Sequence, residues 1–104
     1  MDKRESVRVP VHVRAQCHTQ GVVIEGLVED VSRSGLFLRA VKFVRAGSAA
    51  EIDVEVDGEE PLRLTAEVVR VDSSRTGMGL RFVEQADMSR GLANFIMRSH
   101  ATTR

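Results

Sequence analysis

The chain has no tryptophan and no tyrosine, and its aromatic content is four phenylalanines in 104 residues. It has no surplus of either charge: fifteen basic and fifteen acidic residues give a formal net charge of zero. A general nucleic-acid binder needs a basic face and, for single strands, stacked aromatics. Neither is present, so no DNA or RNA partner is expected, and any anion bound should be small and met locally. There is one cysteine, Cys17, so no internal disulfide can form. This fits a reducing compartment. No apolar run approaches a membrane span, and the charged N-terminus lacks the apolar core of a signal peptide. We expect a cytoplasmic protein without membrane insertion.

Histidine is also sparse: His12, His18 and His100. On an extended strand His12 and His18 would stand roughly 20 Å apart, too far for one metal. Cys17 falls on the opposite, apolar face and reads as a packed core thiol. No nucleophile elbow and no paired-carboxylate site is visible. We therefore expect no enzymatic activity, no metal and no cofactor.

What is present is alternation. Val7, Val9, Val11, Val13, Ala15 and Cys17 share one face, while Arg8, Pro10, His12, Arg14, Gln16 and His18 share the other. Period two means a half-buried strand. Pro10 cannot donate to a ladder and belongs near a strand start or an edge. Gln20-Gly21 reads as a turn. Residues 22–31 form a second strand whose apolar pattern slips near Gly26, which predicts a bulge or bend there.

Ser32 to Gly35 is a polar break, and a third strand follows over 35–41. Residues 51–57 alternate with Ile52, Val54 and Val56 inward, then Asp57-Gly58 signals a hairpin. The acids from Glu51 to Glu60 fit a solvated hairpin face. A fifth strand runs from Leu62 to about Val71, a turn spans Asp72 to Thr76, and Met78, Leu80 and Phe82 mark a sixth strand. Met88, Leu92, Phe95 and Ile96 then follow a helical stripe over 87–100, with Asp87 as N-cap. The expected fold is all-β with a C-terminal helix: a small six-stranded antiparallel β-barrel, closed because closure removes exposed edges. The whole chain, 1–104, reads as one domain with a mobile arm over 1–8.

Two polar clusters remain. Arg4 and Arg8 would lie on the polar face, about 13 Å apart, if the first strand's register extends backward. After strand two comes Asp30-Val31-Ser32-Arg33-Ser34-Gly35. A carboxylate can accept both N–H donors on a guanine edge, and a hydroxyl can donate to phosphate. A glycine lets backbone approach closely. Two arginines can fork onto guanine O6 and N7 or clamp a phosphate. Each cluster alone has a plain structural explanation, as solvated arginines or as a capped turn. Together they suit a ligand carrying both guanine and phosphate.

Together and in this order, the residues resemble the PilZ domain family, bacterial receptors for the second messenger cyclic di-GMP. Arg4 and Arg8 match the family's R-x-x-x-R, with Lys3 where a further arginine is common. VPVHV matches the start of its first strand. Asp30, Ser32 and Gly35 match [D/N]-x-S-x-x-G, and Gly79-Leu80-Arg81-Phe82 is similar to a late G-hydrophobic-x-F strand. The resemblance implies cyclic di-GMP as ligand, held by Arg4, Arg8, Asp30, Ser32 and Gly35, with Lys3 and Arg33 as secondary contacts. It further implies a protein partner in motility, secretion, polysaccharide production or chemosensing. The alternative is an adaptor of the same fold that binds nucleotide weakly or not at all. Lys3 departs from the pattern, because lysine cannot form a bidentate fork.

Overall fold

Val9, Val11, Ala15 and Cys17 are buried on strand β1 (Val9–Thr19), and Pro10, His12, Arg14 and Gln16 are exposed. That is the alternation of the sequence turned into an inside and an outside. The computed structural model describes residues 8–83 and 86–102, and within the helix the side chains of 90–99. Pro10 is the second residue of β1 and lies outside Ala15–His18, the stretch paired with β4. Its missing N–H therefore removes nothing from that ladder. Gln20 (φ 52°) and Gly21 (φ 75°) form the two-residue turn into β2 (Val22–Val31), both with the positive φ that a tight hairpin needs.

Strands β3 (Gly35–Arg39), β4 (Ala49–Val54), β5 (Leu62–Asp72) and β6 (Gly77–Phe82) complete an antiparallel barrel. It closes in the order β1-β2-β3-β6-β5-β4. The interior holds Val28, Val31, Leu36, Leu38, Ile52, Val54, Leu64, Val68 and Met78, all with no measurable exposure. Each such side chain contributes about 1.5–3 kcal/mol by leaving water, as an upper estimate. Cys17 lies among them, and burial pushes its thiol up to about 11, so it stays a neutral packing group.

Helix α1 (Ala86–Thr102) packs on β1 and β5, on either side of the short β4. Leu92 and Phe95 enter the core, with Ile96 partly buried against it. Helix assignment begins at Ala86, so Asp87 falls inside it rather than capping it. The side chains of Asp87, Met88 and His100 lie outside the described residues. Among the described residues, no helix is long and apolar enough to cross a membrane.

Three local expectations need correction. The bulge expected at Gly26 lies further along β2. Gly26 pairs regularly with Ala15, and the register with β3 shifts between Val28 and Asp30. Val28 and Val31 both point inward although three apart, which an alternating strand can do only by absorbing one extra residue. Strand β3 stops at Arg39: Ala40 still donates its N–H to Thr76 O at 3.0 Å, but Thr76, with φ 59°, already belongs to the turn before β6, and Val41 is exposed.

Strand β4 spans 49–54 instead of 51–57, and Asp57-Gly58 turns within a longer connection over 55–61. Val56 packs against the core there, and Pro61 has no N–H for a ladder. The acidic stretch from Glu51 to Glu60 is largely solvent-exposed, as expected, and part of it is charge-paired. Arg63 grips Asp53 with two bonds of 2.7 and 2.8 Å and also meets Glu51 at 3.4 Å, and Arg98 pairs with Glu59.

Candidate functional site

The polar break between β2 and β3 is a tight turn built around Ser32. The Ser32 N–H donates to Gly35 O at 2.8 Å, closing the turn. The Ser32 hydroxyl has no exposed surface. It accepts from the Ser34 N–H at 3.2 Å and lies 3.2 Å from the Ser34 hydroxyl and 3.4 Å from Gly35 O. Ser34 O in turn accepts from the Phe82 N–H at 2.8 Å, tying the turn to β6. Gly35 is needed for space: a Cβ there would run into the carbonyl oxygen of Leu80 on the neighbouring strand.

Arg8 reaches this turn from the other end of the sequence. Its Nε donates to Asp30 Oδ1 at 2.8 Å, and its Nη1 lies 3.5 Å from the Ser32 hydroxyl. The β1–β2 pairing explains the meeting, because Val9 faces Val31 and Pro10 faces Asp30. Arg8 remains about two-fifths exposed and Asp30 one-fifth, so both are open to a ligand. Arg33 stands exposed at the tip of the turn. Thus Arg8, Asp30, Ser32 and Gly35 converge, whereas Lys3 and Arg4 lie outside the described residues. In this arrangement Ser32 braces the turn from inside, with Arg8 across it, rather than facing solvent as a phosphate contact would.

The sequence reading missed a further group beside Asp30. Asp30, Phe37, Gly79 and Arg70 form one cross-strand row over β2, β3, β6 and β5. Phe37 points away from the barrel interior, yet it is fully buried. The Arg75 guanidinium covers it, with Cζ 3.8 Å from the ring centroid, and Arg70 approaches to 6.0 Å. Arg75 comes from the β5–β6 turn. Its Nη2 lies 3.7 Å from Asp30 Oδ2 and 3.6 Å from Glu29 Oε1, and Arg39 pairs with Glu29 at 3.2 Å.

The turn that carries Arg75 is itself fixed. Asp72 Oδ1 accepts from the Ser74 hydroxyl at 2.7 Å and from the Arg75 N–H at 3.2 Å, and these bonds hold the Asp72 carboxyl below its usual range. The site therefore offers the carboxylates of Glu29 and Asp30 and the guanidinium groups of Arg8, Arg39 and Arg75 on the outside of the barrel wall, with the Phe37 ring buried beneath Arg75. Such a set can receive the flat, edge-donating and anionic parts of one ligand together. Among the described residues, no three histidine, cysteine, aspartate or glutamate side chains gather as a metal site.

Comparison with known proteins gives a family and a fold. The family model of the PilZ domain matches residues 2–98. No curated protein matches. Among solved structures, the chain is similar to the PilZ domain of CeSA from a cellulose-synthesizing bacterium. The TM-score is 0.72 at 18% identity, covering 88% of this chain and 96% of that one. It is also similar to the PilZ domain of Escherichia coli YcgR, solved with c-di-GMP. There the TM-score is 0.81 at 14% identity, covering 99% and 95%. A third likeness is to the Bacillus subtilis inhibitor of motility MotI/DgrA, with TM-score 0.74 and 18% identity. All of this chain is covered, but it spans only 54% of that one. At these identities the likeness is one of fold.

Proposed function

The chain belongs to the PilZ family, and from that premise we propose that it is a receptor for cyclic di-GMP and not an enzyme. The observation that supports this best is the meeting of Arg8 with Asp30 at 2.8 Å over the Ser32 turn. This contact joins residues 22 positions apart in sequence, a guanidinium able to clamp an anion and a carboxylate able to accept a guanine edge. Asp30 accepts from the guanine N1–H and N2 amino group. Arg8, with Arg4 and Lys3 from the arm, takes phosphate and the guanine O6/N7 edge. Gly35 and Ser32 shape the turn beneath, and Arg33 adds positive charge at the rim.

Arg8 and Asp30 pair with each other at 2.8 Å. Ligand exchanges that pairing for two better matched ones, phosphate with guanidinium and guanine with carboxylate. The arm over 1–8 closes on the nucleotide and alters the surface beside the barrel, which a protein partner in the cytoplasm reads. Motility, secretion, polysaccharide production and chemosensing each offer such a partner.

Isothermal calorimetry with cyclic di-GMP and cyclic di-AMP tests the reading. Adenine lacks O6, the N1–H and the N2 amino group. Loss of one bidentate pair costs about 1–3 kcal/mol, so cyclic di-AMP should bind about 5- to 150-fold more weakly. Equal affinity for both nucleotides would contradict the guanine assignment, and no heat with either would contradict the receptor reading.

A further inference from the structure

We propose that Arg75 is a third arginine of the nucleotide site, and that its guanidinium is a flat platform on which a guanine base stacks. The inference rests on the cyclic di-GMP reading above and extends it to a residue outside both sequence motifs. Three observations carry it. The guanidinium lies over the Phe37 ring at 3.8 Å, so one of its faces is already occupied by an aromatic surface. The side chain nevertheless remains 44% exposed, so it also offers surface to solvent. Finally, it stands 3.7 Å from the oxygen of Asp30 that Arg8 Nε does not hold.

Asp30 can accept a guanine edge only if the base plane comes in beside that carboxylate. The flat group already waiting there is Arg75. A guanidinium sandwiched between an aromatic ring and a base gains on both faces, and lysine cannot reproduce this because its ammonium has no plane. Preorganisation lowers the cost. Asp72 fixes the Arg75 backbone, Glu29 and Asp30 hold the head from one side, and Phe37 supports it from below. The space for the ring is also built in, since a Cβ at Gly77 would sit 2.5 Å from a Phe37 ring carbon. A covering role for Phe37 alone would need apolar contact, which a lysine stem also supplies.

The test is calorimetry of the full chain with cyclic di-GMP, comparing wild type, Arg75→Ala and Arg75→Lys. Thermal melting of each unliganded protein checks the fold. Base stacking on a side chain is worth about 1–3 kcal/mol by alanine substitution, so both variants should bind at least about fivefold more weakly while melting cooperatively. Arg75→Lys within about fivefold of wild type overturns the platform, because charge alone would then suffice. Arg75→Ala within that range places Arg75 outside the site altogether. If the wild type gives no heat, the receptor reading fails first and this inference fails with it.

Discussion

Replacing Ser32 by alanine separates a bracing role from a ligand contact. The hydroxyl is wholly enclosed, and four polar atoms of Arg8, Ser34 and Gly35 surround it. Two of its contacts, at 3.4 and 3.5 Å, are long and add little. The bond from the Ser34 N–H at 3.2 Å matters more, because its loss leaves a part-buried donor without an acceptor. A net hydrogen bond is worth about 0.5–1.5 kcal/mol, and a stranded donor adds to that, so Ser32→Ala should cost about 1–2 kcal/mol.

For a chain of this size each kcal/mol lowers the melting temperature by about 4–8 °C, which predicts a fall of about 5–10 °C without nucleotide. Ser34→Ala should cost less than about 0.5 kcal/mol, since that side chain is exposed. Scanning calorimetry of the three proteins, followed by nucleotide titration, gives both readouts. If Ser32→Ala melts within about 2 °C of wild type and yet loses nucleotide binding, the bracing argument is refuted and the hydroxyl is a ligand contact.

Arg8→Ala should behave the opposite way. It removes one exposed ion pair, worth about 0–1 kcal/mol, so melting should barely move while calorimetry detects no cyclic di-GMP binding. A sharp fall in melting temperature would make Arg8 structural. On the far side of the barrel, the two bonds from Arg63 hold the Asp53 carboxyl below its usual range. The unfolded chain therefore takes up this proton first as pH drops below about 4, so the stability Asp53 contributes is present above that point and lost as acid protonates the folded group. Melting temperature should fall between pH 6 and pH 3 more steeply in wild type than in Asp53→Asn, with the remaining slope shared with Asp72; identical slopes would remove Asp53 from the account.

Alternation alone made most of the barrel legible, because β1 and β6 put every second residue inward without interruption from the turns. The motif residues Asp30, Ser32 and Gly35 were legible for a related reason: they occupy a single local turn, so spacing in sequence is spacing in space. Arg75 and Phe37 were hidden. Ser73-Ser74-Arg75 reads as a solvated turn and Leu36-Phe37-Leu38 as ordinary core. Their neighbourhood with Asp30 depends on how β2, β3, β6 and β5 align, and two of those alignments are offset by an extra residue, beside Asp30 and beside Arg70. Period two carries no information about such offsets. The same limit explains Gly26: an interruption in the pattern tells that a bulge exists, but its position is set by which neighbour the strand must meet.

The ring of six strands also restricts how a signal can leave the molecule. Each strand pairs with two neighbours along at least part of its length, and outside the first half of β1 a partner has little main chain left to zip onto along the walls. Recognition must then read side chains. The walls cannot easily breathe either, because widening one seam strains the others around the circle. What faces outward from the hoop is the Ser32 turn, with Arg33 at its tip, and the Arg75 turn above Phe37. A message carried by this protein would be written in the posture of a few long cationic side chains, displayed on a frame that stays still.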